Sequence, residues 1–374
     1  MVNARSRPSL KLELKKRYHL CSYCISRQIT VGKSRSPDED FDNCQICCGL
    51  MSRLDFILSR IEETVNELYE FDTFTIGAVI PHDISEREDQ IRARLKIRGK
   101  VSIKSHILNE LRRKFETRTK KKVDFSVPDV SISVAVGNGR GVNVTAKARA
   151  LTLAGRYIKK QRGIPQKQTM CAQCKGVGCG VCNHSSLFGQ SVESIIAHQL
   201  VNLTKGNSPR FSWVGSEDQN SLVQGDGRPF FVRLSDPKVR ALKSNLIIDT
   251  PEVYATIDAK PRRVPPSPIR FVTNTKIIVE CANTITENNL NELSLLNNAR
   301  VKFQNKNKII TKRIYSVKFN KINDNRFEIT LLADGGFAIK KFVSGQHNTS
   351  PNVSEIVDNK CESILFDITD VHLQ

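Results

Sequence analysis

Two neighbouring carboxylates, Glu217 and Asp218, sit in a polar stretch that runs from Trp213 to Phe231 and contains Gly225, Gly227 and Pro229. A short apolar approach, Phe211 to Val214, leads into it, and the glycines and the proline mark turns behind it. A loop of this composition is expected to display an acid rather than bury it, which offers a base or a nucleophile. A solvated acidic turn is the competing reading, because Asp in Gly-rich loops is commonly a turn former. Cysteine spacing is the second chemical signal. Cys21 and Cys24 are followed by Cys44 and Cys47, and Cys171 and Cys174 by Cys179 and Cys182. A two-residue gap lets both thiolates of a knuckle reach one ion, so each cluster predicts a structural tetrahedral Zn²⁺ site. A Gly-rich loop with reduced thiols competes for the second cluster. Cys48, Cys281 and Cys361 have no such spacing and read as small core hydrophobes.

The chain that must position these groups has 374 residues, enough for two or three domains with separate cores. Its 58 Lys and Arg against 38 Asp and Glu give a formal charge of +20, which suits a polyanion and makes nucleic acid the leading partner. No run of 18 or more apolar residues occurs, so no membrane span is expected. The basic first twenty residues lack the apolar core of a signal peptide, which predicts a cytoplasmic protein. Methyltransferase and nuclease chemistry rank low, since there is no Gly-rich dinucleotide loop and no paired metal-binding carboxylate motif.

Residues 1–50 hold too little apolar material for a core, so metal would supply the folding energy of a small zinc module. A helical period follows at Met51, Leu54, Ile57, Leu58, Ile61, Val65 and Leu68. Then come a strand-like run over Phe71 to Ile80, a helix over Lys104 to Phe115, and alternating strands at Asp129 to Val136 and Gly141 to Ala146 joined as a hairpin. That order predicts a basic α/β (α+β) domain over 51–165. Residues 166–374 read as a mixed α/β domain on a largely antiparallel sheet, with strands at Ile278 to Cys281, Tyr315 to Phe319 and Phe327 to Ala333 and helices over Glu287 to Leu296 and after Ser191 as N-cap. At the boundary, Arg156, Lys159, Lys160 and Arg162 surround Tyr157, a mix that can neutralise phosphate and stack a base.

Several of these stretches together resemble the archaeal-type pseudouridine synthase ten family. Its members usually read Gly-Arg-Glu-Asp-Val-Asp-Val-Arg and then Gly-x-Gly-Arg-Pro-Phe, where this chain has Ser216-Glu-Asp218 and Gly225-Asp-Gly-Arg-Pro-Phe230. The family's Gly-Arg-Tyr-x-Lys recurs at Gly155, Arg156, Tyr157 and Lys159, and its Arg-x-Ile-Pro-Gln at Arg162, Ile164, Pro165 and Gln166. Its Ser-Val-Glu-x-x-Ile recurs from Ser191 to Ile196, and its ending is echoed from Thr349 to Val371.

The resemblance implies a THUMP-like RNA-binding domain followed by a pseudouridine synthase domain, with the second cysteine knuckle at 171–182. It implies tRNA as partner and T-arm uridines 54 and 55 as substrate. Asp218 would be the one indispensable carboxylate, with Lys340 as its cation on a strand from Gly335. RNA contacts are expected from Arg156, Tyr157, Lys159, Arg162, Arg228 and Phe337. Structural zinc is expected, with no organic cofactor and no obligate protein partner. Some positions depart from the pattern: Ser216 stands for the family's first Arg, Asn220 for its second Asp and Leu222 for its last Arg. Thr275 and Ala338 stand where stacking tyrosines are expected, with Phe337 or Phe271 as substitutes. These departures keep a second reading open, a non-catalytic zinc-containing RNA-binding or chaperone protein.

Overall fold

The computed structural model describes residues 7–29, 41–137, 141–171, 173–175, 180, 187–305 and 308–374. They form two units, one of residues 1–150 with 236–240 and one of 151–235 with 241–374. Cys179, Cys182 and residues 138–140, where the hairpin turn is expected, lie outside the described residues.

The first unit contains α1 (Arg7–Lys16), α2 (Ser22–Gln28), α3 (Leu54–Val65), β1 (Thr73–Val79), α4 (His82–Leu95), α5 (Ile103–Thr119), β2 (Lys122–Val123), β3 (Val130–Val136) and β4 (Val142–Ala148). The sheet order is β2-β1-β3-β4, with β1 parallel to both β2 and β3, and β4 antiparallel to β3. Helices pack on it because their apolar residues repeat at helical spacing: Leu54, Ile57, Leu58, Ile61 and Val65 on α3, and Ile103, Ile107, Leu111 and Phe115 on α5. The cysteine segment is not a coreless module. Leu14, Leu20, Ile25, Ile46 and Leu50 share one buried cluster with these helices, so the described residues before 51 contribute to the core of this unit.

Helix α4 escapes a reading by apolar period, since its buried positions are Ile84, Glu88 and Ile91. Glu88 occupies an inward position because it is fully partnered. Arg27 donates to its Oε1 from Nε at 3.1 Å and Nη2 at 2.8 Å, Gln28 at 2.9 Å, and the Ile103 amide reaches Oε2 at 2.8 Å.

The second unit opens with β5 (Leu151–Lys159), β6 (Thr169–Met170), β7 (Leu187–Phe188), α6 (Val192–Thr204), β8 (Asn207–Trp213) and β9 (Val223–Ser235). It continues with β10 (Leu246–Asp249), β11 (Val253–Ile257), β12 (Phe271–Cys281), α7 (Glu287–Asn291), β13 (Arg300–Asn305), β14 (Lys308–Lys321) and β15 (Arg326–Asp334), and ends with α8 (Ile339–Ser344), α9 (Val353–Ile356) and β16 (Cys361–Leu373). The main sheet runs β10-β11-β5-β9-β16-β12-β15-β14-β13, with β8 beside β9. Its pairs are antiparallel except β9 with β16, which meet at Val223 and Ile368. Separate cores lie on the two sides of that seam, one around Leu153, Phe230 and Ile196, the other around Ile277, Phe327 and Phe342.

Two expectations shift. The helix over Glu287 to Leu296 divides into α7 and a 3₁₀ turn at Glu292–Leu296. The chain divides after residue 150 rather than 165, because β5 pairs with β9 on one flank and β11 on the other and so belongs to the sheet. Among the described residues no helix is long and apolar enough to cross a membrane.

Candidate active site

The loop between β8 and β9 carries Asp218, and an aromatic cluster fixes its approach. Phe211 stacks on Trp213 with centroids 4.9 Å apart, and Trp213 stands edge-on to Tyr157 at 5.5 Å. The chain then turns at Gly215, whose φ is +79°. A Cβ there would come within 2.5 Å of Arg228 Nη1 and 2.6 Å of Phe271 Cζ. Gly335 approaches the same ring, since its Cβ would stand 2.4 Å from Phe271 Cζ. Two glycines thus clasp one phenyl ring, and this draws the Asp218 loop to the turn that enters α8. Asp218 and Lys340, 122 positions apart, meet there at 2.6 Å between Oδ2 and Nζ.

Asp218 Oδ1 also accepts the Asn220 amide at 3.0 Å. The Lys340 hydrogen bond, and after it the Asn220 amide, hold the carboxyl below its ordinary range, so it is ionised at neutral pH. The Asp218 side chain is 28% exposed and that of Lys340 65%, so the pair faces solvent. Lys340 sits on the first turn of α8, not on a strand as expected, because β15 ends at Asp334 ahead of Gly335 and Gly336.

Glu217 does the opposite of its neighbour: its side chain is fully enclosed, at 0% exposure. The Tyr157 hydroxyl donates to its Oε2 at 2.6 Å and itself accepts from Gln166 Nε2 at 2.8 Å. Arg228 Nε stands 3.0 Å from Oε2 as an ion pair, although its N–H is not aimed at that oxygen. Lys159, also 0% exposed, lies 3.8 Å from Oε1. Its Nζ donates to the carbonyls of Ile164 and Asp218 at 3.0 Å and of Gln219 at 3.1 Å. Burial pulls this ammonium down from its usual value and pushes the Tyr157 hydroxyl well up, which leaves the latter a firm donor. The far side of the loop is tied to β16, where Arg162 grips Asp367 with two bonds of 2.6 and 2.7 Å. Arg162 also donates to Asn220 O at 2.7 Å, and Asp367 accepts the Leu222 amide at 2.8 Å.

This geometry bears on three of the expected RNA contacts, Tyr157, Lys159 and Arg228. Tyr157, Lys159 and Arg228 are buried beneath the loop and spend their donors on it, so they hold Asp218 from below instead of meeting RNA. Arg156 and Arg162 are partly exposed, yet Arg156 donates to the carbonyls of Asp226, Gly227 and Val371, and Arg162 to Asn220 and Asp367. Phe337 is half-buried and edge-on to Phe303 and Phe342, both at 5.0 Å. Thr275 is buried inside β12 and Ala338 is the N-cap of α8, so neither offers a stacking surface. The strand period carried a signal for this: Leu151, Leu153, Tyr157 and Lys159 lie in step on one face of β5, which places the lysine on the apolar side.

Sγ atoms of Cys21, Cys24, Cys44 and Cys47 all lie within 4.8 Å of one another and are buried. Arg27 Nη2 donates to Cys24 Sγ and the Cys21 amide to Cys44 Sγ, each at 3.4 Å. The hydrogen bond with Cys21 leads the causes that push the Cys24 thiol up and pull the Cys44 thiol down. Four converging soft donors, two of them accepting N–H bonds as thiolates do, fit a tetrahedral Zn²⁺.

Residues 152–372 match the family described as "Pus10, C-terminal", and residues 57–135 match "Pus10 THUMP domain, archaeal". The chain is 30% identical over 378 residues to "tRNA pseudouridine synthase Pus10" of Nitrosopumilus maritimus, covering 97% of each. It is 31% identical over 358 residues to the protein of that name in Methanocaldococcus jannaschii, covering 88% of this chain and 76% of that one. The first family match takes in both sides of the β9–β16 seam, and with it Tyr157, Asp218, Lys340 and Asp367. By that span, and by a relative covered almost end to end, the chain belongs to the Pus10 family.

Proposed function

We propose that this chain is a tRNA pseudouridine synthase that uses Asp218 on T-arm uridines 54 and 55. The relatives named as tRNA pseudouridine synthases support the reaction class. The observation that carries the assignment of Asp218 is its ionised, solvent-facing carboxylate on a loop pinned from beneath by enclosed side chains.

The isomerisation breaks the bond from C1′ to N1 of uracil, turns the base, and joins C1′ to C5. The C5 hydrogen leaves and N1 gains one, so atoms balance without a redox partner. Such a step requires one carboxylate at the sugar and a nucleotide extruded from its stack. Asp218 serves as nucleophile at C1′ or as the base that starts elimination, and both roles need the charge that Lys340 maintains. The missing family arginine at Ser216 is offset in this respect by Lys340 and the Asn220 amide, which already occupy both carboxylate oxygens.

The test incubates the protein with unmodified tRNA transcript and maps pseudouridine by carbodiimide primer extension, for wild type and Asp218→Ala. Stops in the T-arm with wild type and none with the variant, at equal RNA affinity, are expected. Binding without product in both would favour the non-catalytic RNA-binding reading, and stops confined to other regions would overturn the assigned positions.

A further inference from the structure

We propose that Cys281 and Cys361 form a cross-strand disulfide site, closed by exchange with a small-molecule disulfide. The two residues face each other directly in the antiparallel β12–β16 pair, as the last residue of one strand and the first of the other. The Ala282 amide donates to Lys360 O at 2.9 Å, while the Cys281 amide goes to Asn325 O and the Cys361 amide to Ser354 Oγ. Cys281 and Cys361 are therefore a non-hydrogen-bonded pair. In such pairs the Cα atoms stand about 4.5 Å apart with the side chains close together. That spacing falls within the roughly 4.4–6.8 Å that a disulfide spans. Both thiols point to the core, at 3% and 0% exposure, and their sulfurs are in contact.

The site is buried but sits at the end of the ladder. Two positions beyond it, past Ala282 and Lys360, Asn283 and Asn359 exchange hydrogen bonds at the exposed margin, so fraying of two residue pairs opens the sulfurs. Burial pushes both thiols up, which slows exchange until that margin opens. In the exchange one thiol loses its proton and attacks a sulfur of the small disulfide, expelling one thiolate. The second thiol then displaces the other half. The protein gains one S–S bond and loses two S–H bonds, while the small disulfide is reduced to two thiols.

The bond would close a span of 80 residues and anchor the start of β16, the strand whose Asp367 holds the Asp218 loop. A span of that length predicts a rise in Tm of about 10 °C on oxidation. The inference stands independently of the catalytic reading.

The test equilibrates the full-length protein with oxidised glutathione or with dithiothreitol, alkylates it unfolded, and maps its peptides by mass spectrometry. A linked peptide joining Cys281 to Cys361, two hydrogens lighter than the dithiol form, is expected after oxidation. The accompanying Tm rise should vanish in Cys281→Ala and in Cys361→Ala, with zinc content followed to separate oxidation of the Cys21 cluster. Full alkylation of both residues after oxidation, or an unchanged Tm rise in either variant, would overturn the proposal. The wild-type peptide map decides the matter even where a variant fails to fold.

Discussion

Replacing Lys159 by Met removes the ammonium beneath the Asp218 loop while keeping a stem of similar length. Three carbonyls, those of Ile164, Asp218 and Gln219, lose their shared donor, and Glu217 is left with Tyr157 and Arg228. Removing one partner from a buried ionic cluster costs about 3–5 kcal/mol, and each stranded acceptor about 1–3 kcal/mol. These terms overlap, because the same nitrogen serves all of them, so we expect about 4 kcal/mol and a fall in Tm of about 10 °C. One of the three carbonyls belongs to Asp218 itself, so the loss acts on the placement of its carboxylate. A displacement of about 1 Å at a reacting group lowers the rate about 100-fold. RNA affinity should stay unchanged, since Lys159 has no exposed surface with which to touch phosphate. Single-turnover rates at saturating transcript, together with binding at several salt concentrations, separate these effects. If the variant instead bound RNA more weakly, with the salt slope reduced by about one and the single-turnover rate intact, Lys159 would be a phosphate contact and the anchoring argument would fail.

Lys340→Met should raise the Asp218 carboxyl toward its ordinary value, because the lysine is the leading cause of its lowering. A depressed carboxyl pKa favours the charged form above it, so the acid limb of the single-turnover pH profile should move to higher pH, and Lys340→Arg should restore it; an unmoved limb in the methionine variant would show that the pair does not set the charge. Chelation of zinc, or Cys44→Ser, should lower the melting of the first unit as a whole by circular dichroism, since its cysteines share a core with α3 and α5. Unchanged melting with no zinc by elemental analysis would refute the metal assignment.

How far the fold is legible in the sequence depends on whether local period and local environment agree. Helices α3 and α5 and strands β3 and β4 follow their apolar periods and were readable within a few residues. Helix α4 is hidden because the residue completing its inward stripe is Glu88, whose burial depends on partners that include Arg27 and Gln28 about sixty positions away. The cations from Arg156 to Arg162 read as a phosphate-neutralising cluster around Tyr157. The period of Leu151, Leu153, Tyr157 and Lys159 marks one face of β5, but that face becomes an enclosed one only when strands from distant segments pair on both flanks. Lys340 is reached by family resemblance alone, because no local rule links it to Asp218 across 122 positions. The same holds for Cys281 and Cys361, which read as isolated core residues until the β12–β16 register sets them side by side.

Two adjacent carboxylates with opposite environments set a firmly anchored loop beside a solvent-facing ion pair. Glu217 is enclosed with Tyr157, Arg228 and Lys159, and disrupting such a cluster costs several kcal/mol. Asp218 is held by an exposed lysine, and solvent-facing ion pairs of this kind contribute about 0–1 kcal/mol. If Asp218 acts as proposed, the free energy a ribose would have to supply to separate it from Lys340 is a small fraction of what would be needed to shift the loop. In that role the charge would be released to a substrate while its backbone stays in place. Exchanging the two environments, with the aspartate enclosed and the glutamate exposed, would leave an acid too firmly partnered to react. Under the proposed role of Asp218, the order of Glu217 before Asp218 gives anchoring to the longer side chain, which reaches down into the cluster, and leaves the shorter one at the surface for the reaction.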